Sequence, residues 1–159
     1  PKALHLRPDN LLVAVNDPDS VNHLQKVMAA TDPGKVDVVV LSVNPQSTDG
    51  KTKREELANR VVDEYEARLF SRVVHIAEKA GKPATLVAVP GDDPYSLILQ
   101  AAQKLTSSHI VIGPSSSKSL SEQQREMAEA WRQLPMPRHK VLVEIIPNID
   151  QTPVQINLE

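Results

Sequence analysis

Between Ile112 and Leu120 the chain reads Gly113-Pro114-Ser115-Ser116-Ser117-Lys118-Ser119, a glycine turn rich in hydroxyls with one cation. The apolar run His109-Ile110-Val111-Ile112 leads into it, and a segment rich in Glu, Gln, Met and Ala leads out. Strand, glycine turn and helix start together suit an anion. The first turn of a helix has free amides and the positive end of the helix dipole. Glycine lets a backbone come close to a phosphate. Gly113, Ser115, Ser116, Ser117 and Lys118 are therefore candidate nucleotide-binding residues. The same serines could instead only cap the helix and solvate a loop. Two further turns belong with them: Asn16 and Asp17 after the first apolar run, and Val43 and Asn44 after the second.

Other chemistries find little support. GPSSS lacks the second glycine of GxSxG, so no nucleophile elbow is expected, and no GxxxxGK[ST] loop occurs. Neither the SGGxDS of ATP pyrophosphatases nor the HxGH of nucleotidyl transferases is present. His5, His23, His75, His109 and His139 have no ligand spacing, and each reads as an ordinary surface or satisfied histidine. Asp92 and Asp93 read as turn and cap residues, and KTKREE (51–56) as a solvated helix start.

Composition narrows the classes further. A chain of 159 residues suits one domain with a real core. The net charge of -2 offers no broad field for nucleic acid, and 3% aromatic residues leave few platforms for base stacking. There are no cysteines, which removes disulfides, thiolate metal sites and cysteine nucleophiles. No apolar run approaches the roughly 20 residues of a membrane helix. A cytoplasmic protein is compatible with all of this.

The elements that would position the turns alternate in type. Apolar runs at 10–17, 35–45, 83–93, 108–114 and 139–147 read as strands, four of them nearly continuous, as in a parallel sheet covered on both faces. Between them, 18–30, 52–80, 94–106 and 120–134 carry helical stripes such as Leu69, Val73 and Ile76. Asp17-Pro18 and Asp93-Pro94 are helix starts, Gly81 and Pro83 a helix end, and Ser119 with Glu122 or Ser121 with Gln124 a capping box. The order βαβαβαβαβ implies right-handed crossovers and an open α/β sheet of five parallel strands with helices on both faces. Ligands in such sheets sit at the strands' carboxyl ends where strand order reverses. The turns after strands 1 and 4 converge there only if those strands are neighbours.

LLVAVNDPDS, VPGDDPYSLILQAAQKLTSSHIVIGPSS and HKVLVEI resemble the opening strand, the central block and the closing strand of universal stress proteins, over about residues 10–147. The resemblance implies the adenine-nucleotide alpha hydrolase-like fold with strand order 3-2-1-4-5. It also implies a homodimer through the last strand and, in some members, ATP in the crevice. The departures are specific. ATP-binding members carry Asp where Asn16 stands, and Gly, two residues, Gly, nine residues, Gly and Ser or Thr. Here Gly113 fits the first position, Ser116 stands at the second, and Glu126 and Met127 at the closing pair. The expected cofactor binding is weak: ATP, or another nucleotide or anion, or none.

These readings give residues 1–9 as a linker, 10–147 as the domain and 148–159 as a tail, in which PVQINL alternates weakly and could pair with a sheet edge. PKALHLRPDNLLVAV resembles the junction into the cytoplasmic C-terminal domains of bacterial amino acid permeases, so Pro1 is not expected to be the natural start. The expected function is a non-enzymatic regulatory or sensor domain, tethered to the inner face of the membrane, with the membrane-embedded part of a transporter as partner and no nucleic acid. A free-standing stress protein with a variant nucleotide cradle is the alternative. No base or metal-ligand set supports the third, a nucleotide hydrolase.

Overall fold

The computed structural model describes residues 8–15, 22–32, 34–44, 53–82, 84–90, 93–113, 118–146 and 153–159. In chain order the elements are β1 (Asn10–Ala14), α1 (Asn22–Ala30), β2 (Val38–Asn44), α2 (Lys53–Ala80), β3 (Thr85–Pro90), α3 (Pro94–Leu105), β4 (Ser107–Ile112), α4 (Leu120–Gln133), β5 (Val141–Ile145) and β6 (Val154–Leu158). They form one sheet in the order β3-β2-β1-β4-β5-β6. The first five strands are mutually parallel.

Burial on both faces explains the unbroken apolar runs. Along β1, Leu12 and Ala14 pack toward α3 and α4, whereas Leu11, Val13 and Val15 pack toward α1 and α2. Leu12, Val13 and Val15 are fully buried, so both parities of the run are apolar, and the one buried polar residue of the strand, Asn10, donates to the Leu105 carbonyl at 2.7 Å. The helices present matching stripes: Leu24, Val27 and Met28 from α1, Leu69, Val73 and Ile76 from α2, Ile98, Leu99 and Ala102 from α3, and Met127, Ala130 and Trp131 from α4.

Local signals place the helix ends. Asp93 caps α3 through the amide of Ser96, with Pro94 in the first turn where no donor is needed. Gly81 ends α2 in the left-handed conformation, φ 68, which a side chain would strain. Of the two capping pairs expected at α4, Ser119 and Glu122 form: the Glu122 amide donates to Ser119 Oγ at 3.2 Å.

One expectation is corrected. The sheet has six strands, because the C-terminal segment pairs antiparallel with β5, Val141 opposite Leu158 and Ile145 opposite Val154. Its weak alternation is the cause. Leu158 is buried, Val154 and Ile156 pack on the α3/α4 core, and Gln155 and Asn157 face solvent. Trp131 Nε1 of α4 donates to the Glu159 carbonyl at 3.2 Å, fastening the strand's end. Val141–Ile145 is therefore not the exposed edge on which pairing through the last strand was expected; β6 covers it.

Candidate functional site: the crevice between β1 and β4

The chain leaves β1 on one side through β2 and β3 and resumes on the other at β4, so strand order reverses between β1 and β4. They are direct neighbours, with Ala14 opposite Ile112, and their carboxyl ends open together. The convergence on which the nucleotide reading depended is thus met. Val43 stands near the end of β2, half-buried against the α3/α4 core, two positions past the Leu41 that pairs with Ala14. Gly113 follows β4 directly and Lys118 precedes α4. Asn16, Asp17, Ser115, Ser116 and Ser117 lie outside the described residues.

Gly113 has a reason to be glycine other than a phosphate. A β-carbon there would meet Nδ1 and Cε1 of His23 at 2.8 Å, closer than β-carbons approach other atoms, and Cγ at a tight 3.3 Å. From the other side, Gln123 Nε2 of α4 donates to the Gly113 carbonyl at 3.2 Å. Gly113 is held between two helices.

His23 is the residue that spacing alone did not single out. It lies one turn before Val27 on the inward stripe of α1 and is 3% exposed. Its Nε2 is 2.8 Å from the Ala14 carbonyl oxygen, which can only accept, so Nε2 carries the proton. The ring thus spans from the end of β1 to the end of β4. Nδ1, left as an acceptor, has no hydrogen-bond partner among the described residues. Burial pushes the pKa below its ordinary value, and the bond to Ala14 only partly opposes this. The imidazole is neutral at pH 7.

Lys118, the candidate cation, is engaged. Its Nζ lies 2.7 Å from Glu126 Oε1 and 5.3 Å from the centroid of the Tyr95 ring. The hydrogen bond to Glu126 raises the lysine pKa. Glu126 stands at the closing-glycine position of the resemblance, one helical stretch beyond the turn. Rather than facing an incoming phosphate unbalanced, it takes the lysine. An anion arriving at α4 must displace a carboxylate already in contact.

His109 and His139 have structural partners. His109 Nε2 pairs with Glu144 at 3.1 Å on the α1/α2 side of β4 and β5. His139 Nε2 lies 3.0 Å from the Ser107 carbonyl, and its own backbone exchanges two hydrogen bonds with Gln103. Among the described residues no three His, Asp or Glu are placed to hold a metal ion, and no helix is long and apolar enough to cross a membrane.

No protein-family model matches the chain, and no curated protein matches it in sequence. Solved structures do match it in shape. A universal stress protein family member from Burkholderia pseudomallei superposes with TM-score 0.57 at 17% identity, over 87% of this chain and 96% of that one. A universal stress protein in complex with cAMP gives TM-score 0.59 at 12% identity, over 87% and 97%. One from Archaeoglobus fulgidus in complex with dAMP gives 0.51 at 18%, over 87% and 95%. These likenesses establish the fold: an α/β sheet with helices on both faces, of universal stress protein type.

Proposed function

We propose that this chain is a non-enzymatic regulatory or sensor domain with a universal stress protein fold whose crevice binds ATP weakly or not at all. The observation that carries the reading is the Lys118–Glu126 contact of 2.7 Å, which sets a carboxylate beside the one cation of the candidate turn. His23 against Gly113 supports it, since the space beside that glycine holds an imidazole. A triphosphate needs close backbone approach and unopposed positive charge. Titrating the protein with ATP and magnesium in a calorimeter tests this directly.

A second reading has its own support. Two structures of similar fold were solved with cAMP and with dAMP, ligands carrying a single phosphate. A variant cradle for such a nucleotide asks less of the turn than ATP does. Titration with cAMP and AMP beside ATP separates the two readings.

The domain works by contact, and we assign it to the cytoplasmic side of an amino acid permease. That link rests on the sequence of the opening stretch alone and is tested by the reading frame upstream of Pro1. Hydrophobic segments of roughly 20 residues there support it, and a start codon directly before Pro1 removes it. A second copy pairs through the outer edge of β6. Its residues Val154–Leu158 carry no charge and no proline, the usual protections of an open edge.

A further inference from the structure

Cations with no carboxylate partner among the described residues stand elsewhere, away from the β1/β4 crevice. A cleft of about 590 Å³ opens between α1 and the last three turns of α2. Arg72, His75 and Lys79 line one wall, on one face of α2 at i, i+3 and i+7, and buried Met28 and Ile76 contribute an apolar floor. Both helices end at the side of the sheet where β2 and β3 begin, so the cleft is at the opposite end from Gly113 and Lys118.

Not all of this charge is available. Lys82, at the cleft's end, donates to the carbonyl oxygens of Met28 and Ala29 and so closes the end of α1. Lys79 sits in the last turn of α2, where a cation also answers the helix dipole. Arg72 and His75 lie further from the helix end than that effect reaches. Among the described residues no carboxylate lies within ion-pair distance of Arg72 or Lys79. In a chain of net charge -2, Arg72 and Lys79, unopposed among the described residues, over an apolar floor make a local inversion of sign.

We propose that this cleft is a ligand site for a phosphate-bearing anion with an apolar portion. The volume lies within the range of small-molecule sites. Arg72 offers a planar fork to phosphate oxygens, Lys79 a second charge about 10 Å along the helix, and His75 a donor or acceptor between them. The apolar portion rests on Met28 and Ile76. A phosphorylated metabolite and a phospholipid headgroup share this chemistry. The proposal does not depend on what the β1/β4 crevice binds.

The test uses the full chain in low salt with two probes: glycerol phosphate, and phosphatidylcholine vesicles with and without phosphatidylglycerol. Backbone amide spectra report where the soluble probe binds, and co-sedimentation reports the vesicles. At least one probe is expected to bind, with shifts confined to α1 and the end of α2. The double variant Arg72→Gln/Lys79→Gln should weaken it by roughly tenfold or more, as loss of charge-assisted contacts implies. Lys118→Ala, at the other end, should leave it unchanged. Thermal melts of the double variant should match the parent, because both side chains are exposed. The soluble probe alone identifies a metabolite site, and the anionic vesicles alone a headgroup site. Binding of neither, or binding indifferent to the double substitution, overturns the proposal.

Discussion

The imidazole of His23 lies against the α-carbon of Gly113, bridging the carboxyl ends of β1 and β4 at the point where strand order reverses. Glycine at 113 is thereby tied to a residue of α1. Gly113→Ala should cost about 1–3 kcal/mol of stability, the usual range for overpacking. In a His23→Ala background most of that cost should vanish, because the clashing ring is gone. Urea unfolding of the four proteins in this cycle is the measurement. An equal cost in both backgrounds would show that something other than His23 excludes a side chain there.

The same histidine sets a pH dependence. Its folded-state pKa is lowered from the ordinary 6.5 by burial, so the unfolded chain takes up the proton first as pH falls. The contribution of the neutral ring is complete above 6.5 and is lost as pH drops from 6.5 toward the folded value. Within that window the slope approaches about 1.4 kcal/mol per pH unit. Compared with His23→Leu, the parent should lose more stability on acidification from pH 7.5 to about 5.5. A difference that stays constant, or changes in the opposite sense, would contradict a buried neutral imidazole.

At the α4 end of the crevice, removing the carboxylate should release the lysine. Glu126→Gln is expected to tighten binding of AMP or ATP, and Lys118→Ala to weaken whatever binding the parent has. Neither should change stability by more than about 1 kcal/mol, since both side chains are about a third exposed. Calorimetric titration of the two variants decides. Unchanged affinity in Glu126→Gln would mean that the ion pair does not limit the site.

The sixth strand carries two expectations. Leu158→Ala should destabilise by about 2–5 kcal/mol, the cost of truncating a buried leucine, and denaturant unfolding measures it. The parent should sediment as a dimer at micromolar concentration, and Gln155→Lys/Asn157→Lys, which sets like charges along the exposed edge, should sediment as a monomer. A monomeric parent would leave β6 as a simple cover for β5.

How much of this the sequence held depends on the range of the interaction. The strands and helix stripes are local, and the doubly buried runs such as Leu11–Val15 announce a parallel sheet. The inward parity of Val154, Ile156 and Leu158 was visible too, but its partner strand was not. Pairing with β5 depends on Trp131 and the α4 core being beneath it. Gly113 was legible as a place of close approach, though not as an approach by His23, ninety residues away in the chain. A lone histidine on a helix gives no partner spacing; only its place on the Val27 stripe marked it as inward. Lys118 could be read as a cation and Glu126 as an intrusion at a glycine position. That the two neutralise each other follows from the α4 cap at Ser119, which sets where the lysine stands relative to the helix.

The central claim is that the β1/β4 crevice is closed to ATP by the chain's own His23 and Glu126. Titration of the full chain with ATP and magnesium, on protein purified without added nucleotide, tests it most directly. The expected result is no heat, or a dissociation constant no tighter than about 1 mM. Micromolar affinity, about -8 kcal/mol, or nucleotide carried through purification in the crevice, would contradict it.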